Sequence, residues 1–203
     1  MSDSASPGQI VILNGAPRSG KSSIVAAIQE SFDGTWMNLG VDVARAMTPP
    51  RAQPGIGLRP GEATHPVAAI LPMLYAALYE SVAAHSKFGL NVLVDVGHSD
   101  MDIAADSARR LAGLPVLFVG VRCPIEVIME RRRTSARERY ATAGPDEAVP
   151  APVLRWQREV HAHWTYDVEV DTSVQSPNLC ATAIRQRLDA GPAPEAFARL
   201  AKL

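Results

Sequence analysis

Gly15-Ala16-Pro17-Arg18-Ser19-Gly20-Lys21-Ser22 decides how the rest of the chain is read. Every specified position of the Walker A pattern G-x-x-x-x-G-K-[ST] is filled. Glycines let the backbone curl until successive N–H groups converge on one point, and the helix that follows adds partial positive charge at its N-terminus. Lys21 can reach the β- and γ-phosphates of a nucleotide, and the Ser22 hydroxyl suits Mg²⁺. The loop thus nominates Gly15, Ala16, Pro17, Arg18, Ser19, Gly20, Lys21, Ser22 and Ser23 for binding ATP, with Mg²⁺ as second cofactor.

The flanks supply the context that gives the motif meaning. Residues 9–14 form a short β-rich apolar run, and residues 22–32 repeat Ile24, Val25, Ile28 and Phe32 at helical spacing. Further strands are expected at 37–41, 91–96, 115–121 and 168–171, and helices at 43–47, 67–88, 102–111, 124–136, 153–164 and 178–188. Strands alternating with helices predict an α/β domain with a five-stranded, mainly parallel sheet. Residues 48–66 and 141–152 are rich in Pro, Gly and Ala, and loops that long inside a compact domain are usually functional or disordered.

With 203 residues and 47% hydrophobic content, the chain suits one domain, residues 1–203, around one core. A net charge of −1 argues against a nucleic-acid partner. No apolar run is long enough to span a bilayer, and residues 1–9 lack the basic and apolar regions of a signal peptide. A cytoplasmic location is expected, with Cys123 and Cys180 as reduced thiols. Self-association into a homo-oligomer is neither required nor opposed by the sequence.

Ligands of open α/β sheets bind beyond the carboxyl ends of the strands. Asp42 and Asp95 stand at two such ends. Transfer of a phosphoryl group to an alcohol needs a carboxylate that orients the hydroxyl and takes its proton, and an acid near Mg²⁺. Asp42 fits the first role, with Lys21 as the catalytic cation, and Asp95 fits the second beside Ser22. The plainer alternatives are an N-cap for Asp42 and a structural buried acid for Asp95. His98, Ser99 and Asp100 follow Asp95 and are placed along the acceptor pocket, whose apolar wall is sought on the 48–66 loop and on Ile70, Met73, Leu74, Tyr75 and Leu78.

Arg131, Arg132, Arg133, Arg137 and Arg139 fall within ten residues. Arginines on a lid-like segment, here 131–152, can neutralise a transferring phosphoryl group. Arg133 and Arg137 are assigned to catalysis and Arg131 to nucleotide binding; a solvated face laced with Glu126, Glu130 and Glu138 is the plainer alternative. Asp171-Thr172-Ser173 either flanks the adenine or forms a strand-to-helix turn.

Ile12-Leu13-Asn14-Gly15, Leu39-Gly40-Val41-Asp42, Val119-Gly120-Val121-Arg122-Cys123 and Tyr166-Asp167-Val168-Glu169-Val170-Asp171-Thr172 together resemble chloramphenicol phosphotransferase over residues 10–188. The resemblance implies a P-loop NTPase fold of nucleoside-monophosphate-kinase-like type, a three-layer α/β/α sandwich. It also implies ATP-dependent O-phosphorylation of a small-molecule hydroxyl, an antibiotic such as chloramphenicol, with Asp42 as general base. The chain departs from that family at Val94-Asp95-Val96-Gly97-His98, where two consecutive acids would end the strand, and in its long 141–152 stretch. A metabolite kinase of shikimate or gluconate type, with Arg45, Arg51 and Arg59 as the nearby cations for an anionic acceptor, and a nucleotide-binding regulatory protein are the competing readings.

Overall fold

A computed structural model describes residues 6–49, 53, 69–134 and 149–203. β1 (Ile10–Asn14) is buried at all five positions. It lies at the middle of the sheet, where every side chain meets a helix layer. The other strands are β2 (Trp36–Asn38), β3 (Asn91–Val96), β4 (Val116–Arg122) and β5 (Val168–Asp171). Their order is β2-β3-β1-β4-β5, and each pairing is parallel. The chain passes from β1 to β2 on one side and later to β4 on the other, so the topological switch point lies beside β1, at the start of the phosphate loop.

Alternation along β1 divides the core. Ile10 and Ile12 face a cluster with Leu78, Tyr79, Val82, Ala104, Phe118, Trp164 and Phe197, fed by α3 (Leu71–Lys87), α4 (Met101–Arg110) and α8 (Ala196–Leu200). Val11 and Leu13 face Ile24, Ile28, Val119, Cys180 and Ile184, fed by α1 (Lys21–Ser31) and α7 (Pro177–Asp189). This is the expected three-layer α/β/α sandwich, and each such aliphatic side chain contributes about 1.5–3 kcal/mol by leaving water. Both cysteines are buried free thiols.

Local chemistry sets the boundaries. α3 begins later than the sequence pattern suggests, with Pro72 in its first turn, where a missing N–H costs nothing. It ends before Gly89, whose φ of +85° suits a residue without Cβ. The second strand is shorter than expected. Leu39 and Gly40 leave the strand conformation, and Val41 opens α2 (Val41–Ala46) instead of closing β2. Gly40 is the N-cap of α2, so Asp42 lies inside the first turn and is not the cap. α5 (Ile125–Arg133) and α6 (Ala151–Glu159) flank the segment richest in arginine.

Candidate active site

The phosphate loop leaves β1 at Asn14 and returns as α1. Gly20 takes φ +97° and Arg18 φ +71°, the left-handed turns that fold the loop back onto the helix N-terminus. Lys21 Nζ donates to the carbonyls of Gly15 (2.8 Å) and Ala16 (3.0 Å), so the ammonium sits over the loop mouth. Burial lowers its pKa to about 8, while Asp95 and then Asp42 pull it back up. Among the described residues, Ser19 Oγ is the one buried side-chain oxygen without a partner, and it lies in this loop. The curled N–H groups, the cation and the spare hydroxyl fit a polyphosphate.

Two acids reach the same place from different elements. Asp95 is the last residue but one of β3, is 7% exposed and accepts from Ser22 Oγ at 2.9 Å. Its carboxylate is packed against Gly40: a Cβ built there would come within 1.6 Å of Asp95 Oδ1. That contact explains the glycine of Leu39-Gly40-Val41-Asp42. It brings α2 close enough for Asp42, itself exposed, to act on the charge of Lys21. Asp95 and Ser22 present paired hard oxygen donors, a set that suits Mg²⁺ completed by phosphate and water. No group of three or more His, Cys, Asp or Glu that could hold a metal occurs among the described residues.

The three consecutive arginines of α5 go three ways, because successive helical residues project about 100° apart. Arg131 lies against the back of the loop. Its guanidinium donates to the Arg18 carbonyl (3.2 Å), Thr172 Oγ1 (3.0 Å), the Thr172 carbonyl (2.7 Å) and Cys123 Sγ (3.4 Å). Arg133 pairs with Glu130 at 2.8 Å on the exposed face and is not brought to the loop. Arg132, to which the sequence pattern assigns no role, lines a depression with Ala16, Pro17, Ile128, Val153 and Trp156. Arg137 and Arg139 lie outside the described residues, as do Arg51 and Arg59 and most of 48–66 and 141–152.

Thr172 turns out to brace the loop. Its hydroxyl donates to the Ser19 carbonyl at 2.6 Å while accepting from Arg131, and its methyl borders Gly20. Asp171, Ser173 and Ser176 form the strand-to-helix turn, with Ser176 capping α7. His98 does not line an acceptor pocket. It is 2% exposed, bonded through Nε2 to the Tyr79 hydroxyl at 2.7 Å, and burial lowers its pKa to about 4. Asp100 caps α4 through Ile103 N. Arg45 donates from Nε to Gln53 Oε1 at 3.1 Å. Of the helix proposed as apolar wall, Leu78 is core, Tyr75 is half-buried and Met73 is exposed.

A parallel sheet of this order with a phosphate loop at its switch point defines a P-loop kinase fold. The chain belongs to the chloramphenicol phosphotransferase-like protein family, whose description matches residues 8–189. It is accordingly a phosphotransferase with an alcohol group as acceptor, acting on a small molecule. It is 27% identical over 210 residues to an O-phosphotransferase provisionally named in two strains of Mycobacterium tuberculosis, covering 96% of this chain and 88% of the relative. The fold is shared with the Deinococcus radiodurans tunicamycin resistance protein (TM-score 0.61, 19% identity, 92% of this chain and 99% of that one). It is also shared with the Mycobacterium tuberculosis APS kinase in complex with AMPPNP and APS (TM-score 0.60, 15% identity, 91% and 99%). No described helix is long and apolar enough to cross a membrane.

Proposed function

We propose that this chain transfers the γ-phosphate of ATP to a hydroxyl of a neutral, antibiotic-like molecule, in the manner of chloramphenicol inactivation, within the cytoplasm. The observation that carries the reading is the bond of Asp95 to Ser22 Oγ at 2.9 Å beside the loop mouth that Lys21 Nζ covers, with Gly40 packed on the Asp95 carboxylate and Asp42 on the helical turn that Gly40 caps. The loop N–H groups and Lys21 hold the phosphates. Ser22 and Asp95 are the residues that would hold Mg²⁺, which supplies charge neutralisation across the β- and γ-phosphates. Asp42 accepts a hydrogen bond from the acceptor hydroxyl and takes its proton as the oxygen attacks the γ-phosphorus. The bond from that phosphorus to the β–γ bridging oxygen breaks, and ADP leaves with the electron pair. Arg132, which shares a depression with Ala16 and Pro17 of the loop, would add positive charge near the transferring group.

Support for an uncharged acceptor comes from the helix that carries Asp42, which exposes Val43 and, at its C-cap, Met47, and from Arg45, whose Nε is engaged by Gln53. Methionine side chains adapt to varied apolar shapes. The test is ATP consumption screened over antibiotics and sugar-like alcohols, with mass spectrometry for a phosphate adduct. A phosphorylated antibiotic alcohol is expected. Activity confined to carboxylate- or phosphate-bearing metabolites would overturn the antibiotic reading.

A further inference from the structure

Asn14 breaks the pattern of its own strand. It follows Ile10 and Ile12 on the face of β1 turned to the larger core cluster, where alternation calls for another aliphatic residue. Its side chain is 0% exposed. A buried amide is costly when unpaired, so it persists only where its bonds are made. Here they are. Oδ1 accepts from His98 N at 2.6 Å, and Nδ2 donates to the Val160 carbonyl at 2.9 Å and to the Tyr166 hydroxyl at 2.9 Å. Because His98 N can only donate and the Val160 carbonyl can only accept, the orientation of the amide is fixed. The Tyr166 hydroxyl, having accepted from Asn14, also bonds His161 Nδ1 at 2.7 Å.

Each partner belongs to a different working part of the site. Val160 is the C-cap of α6, the helix that returns from the arginine-rich segment. That helix carries Val153 and Trp156 into the depression beside Ala16 and Pro17. The Trp156 ring presses on Gly97, where a Cβ would sit 2.8 Å from Cζ3, and Gln157 reaches the Cys123 carbonyl at the end of β4 (3.0 Å). α6 therefore bridges the ends of β3 and β4 across the phosphate loop. His98 lies three residues beyond Asp95, on the exit from β3. Tyr166 packs its ring under Gly120 within β4 and against Phe118.

We infer that Asn14 is a positioning residue: one buried amide, a single peptide ahead of the phosphate loop, holds the lid-side helix α6 and the exit from β3 at His98 in fixed register with that loop. The inference rests on the kinase reading above but is separable from it. The loop's own contacts, Ser22 to Asp95, Thr172 to Ser19 and Lys21 to its carbonyls, do not pass through Asn14. Removing the amide should leave nucleotide binding in place and disturb the alignment of the two halves, where a misplacement near 1 Å costs about 10²-fold in rate.

The measurement pairs AMPPNP·Mg²⁺ affinity by calorimetry with steady-state transfer from ATP to the best acceptor of the screen, or to water where no acceptor is found. For Asn14→Leu, which matches the size but has no polar atoms, the expected result is a dissociation constant within about threefold of wild type and turnover lowered about 10²-fold. Asn14→Ser, which keeps a shorter hydroxyl, should recover part of the rate. Tyr166→Phe, which keeps the ring on Phe118, should lose about 3- to 10-fold through the slackened amide, and serves with Asn14→Ser if the leucine variant does not fold. Turnover within threefold of wild type in folded Asn14→Leu, or in both Asn14→Ser and Tyr166→Phe where the leucine variant does not fold, would overturn the inference. So would loss of affinity in parallel with turnover, since that would place Asn14 in the loop itself. Wild-type protein that binds no AMPPNP would instead sink the kinase reading.

Discussion

The proposed nucleotide side and the proposed acceptor side of this site are built to different standards of constraint. On the nucleotide side the loop is bonded from within by Lys21 and from behind by Thr172 and Arg131. On the acceptor side Asp42 stands exposed on a six-residue helix with no buried residue. A polyphosphate is the same in every turnover and rewards a preorganised cradle. An acceptor varies between related enzymes, and an exposed short helix can change its side chains without disturbing the sheet. Recognition of the alcohol is therefore the feature free to diverge, while the grip on the phosphates stays.

The difference can be broken most sharply at Asp42. Asp42→Asn should lower transfer 10²- to 10⁴-fold, roughly the range for a lost general base, while AMPPNP affinity changes little. Equal turnover in a direct kinetic comparison would remove Asp42 from the chemistry. Gly40→Ala forces a Cβ to within 1.6 Å of Asp95 Oδ1, so the carboxylate or α2 must move. A turnover loss of about 10²-fold is expected from that displacement, with weaker dependence on Mg²⁺, read by titrating the metal at fixed ATP.

Stability should depend on pH through the groups beneath the acceptor side. The pKa of His98 falls from 6.5 to about 4 through burial, and that of His161 also falls to about 4. Depressed values mean that the unfolded chain binds the proton first. Stability is full above pH 6.5 and declines as pH falls toward 4, by on the order of 3 kcal/mol for fully buried His98. Urea melts at pH 7.5 and 5 should show the loss, and His98→Gln should flatten it.

The nucleotide side should show its own pH signature, in binding. With Lys21 titrating at about 8, the free loop loses its cation as pH rises past that value, whereas bound phosphates favour the charged form. Affinity should weaken above pH 8, and binding there should take up a proton, visible as a heat that changes between buffers of different ionisation enthalpy. The smallest effect is expected at Thr172→Val, which removes one brace and should cost about 1 kcal/mol in AMPPNP binding or in melting.

Local patterns made much of this legible in advance. The Walker A spacing, the strand runs at 91–96 and 168–171 and the helical period after Lys21 each depend on residues adjacent in sequence. Patterns of that kind misjudged residues whose roles are set by distant neighbours. Leu39 and Gly40 read as strand because they are apolar or small, but the chain must leave the sheet there to pass over Asp95. His98 resembled a pocket residue by its nearness to Asp95, yet Tyr79 and Trp164 enclose it from elements far away in sequence.

The sequence by itself determined the phosphate loop, the α/β class and the two acids, because hydrophobic period and glycine geometry act within a few residues. Only the tertiary structure decided which arginine of 131–133 meets the loop, that Gly40 is shaped to Asp95, and that Asn14 ties α6 to β3. Those choices depend on side chains meeting across strands and helices, and such meetings are set by packing in three dimensions rather than by spacing along the chain.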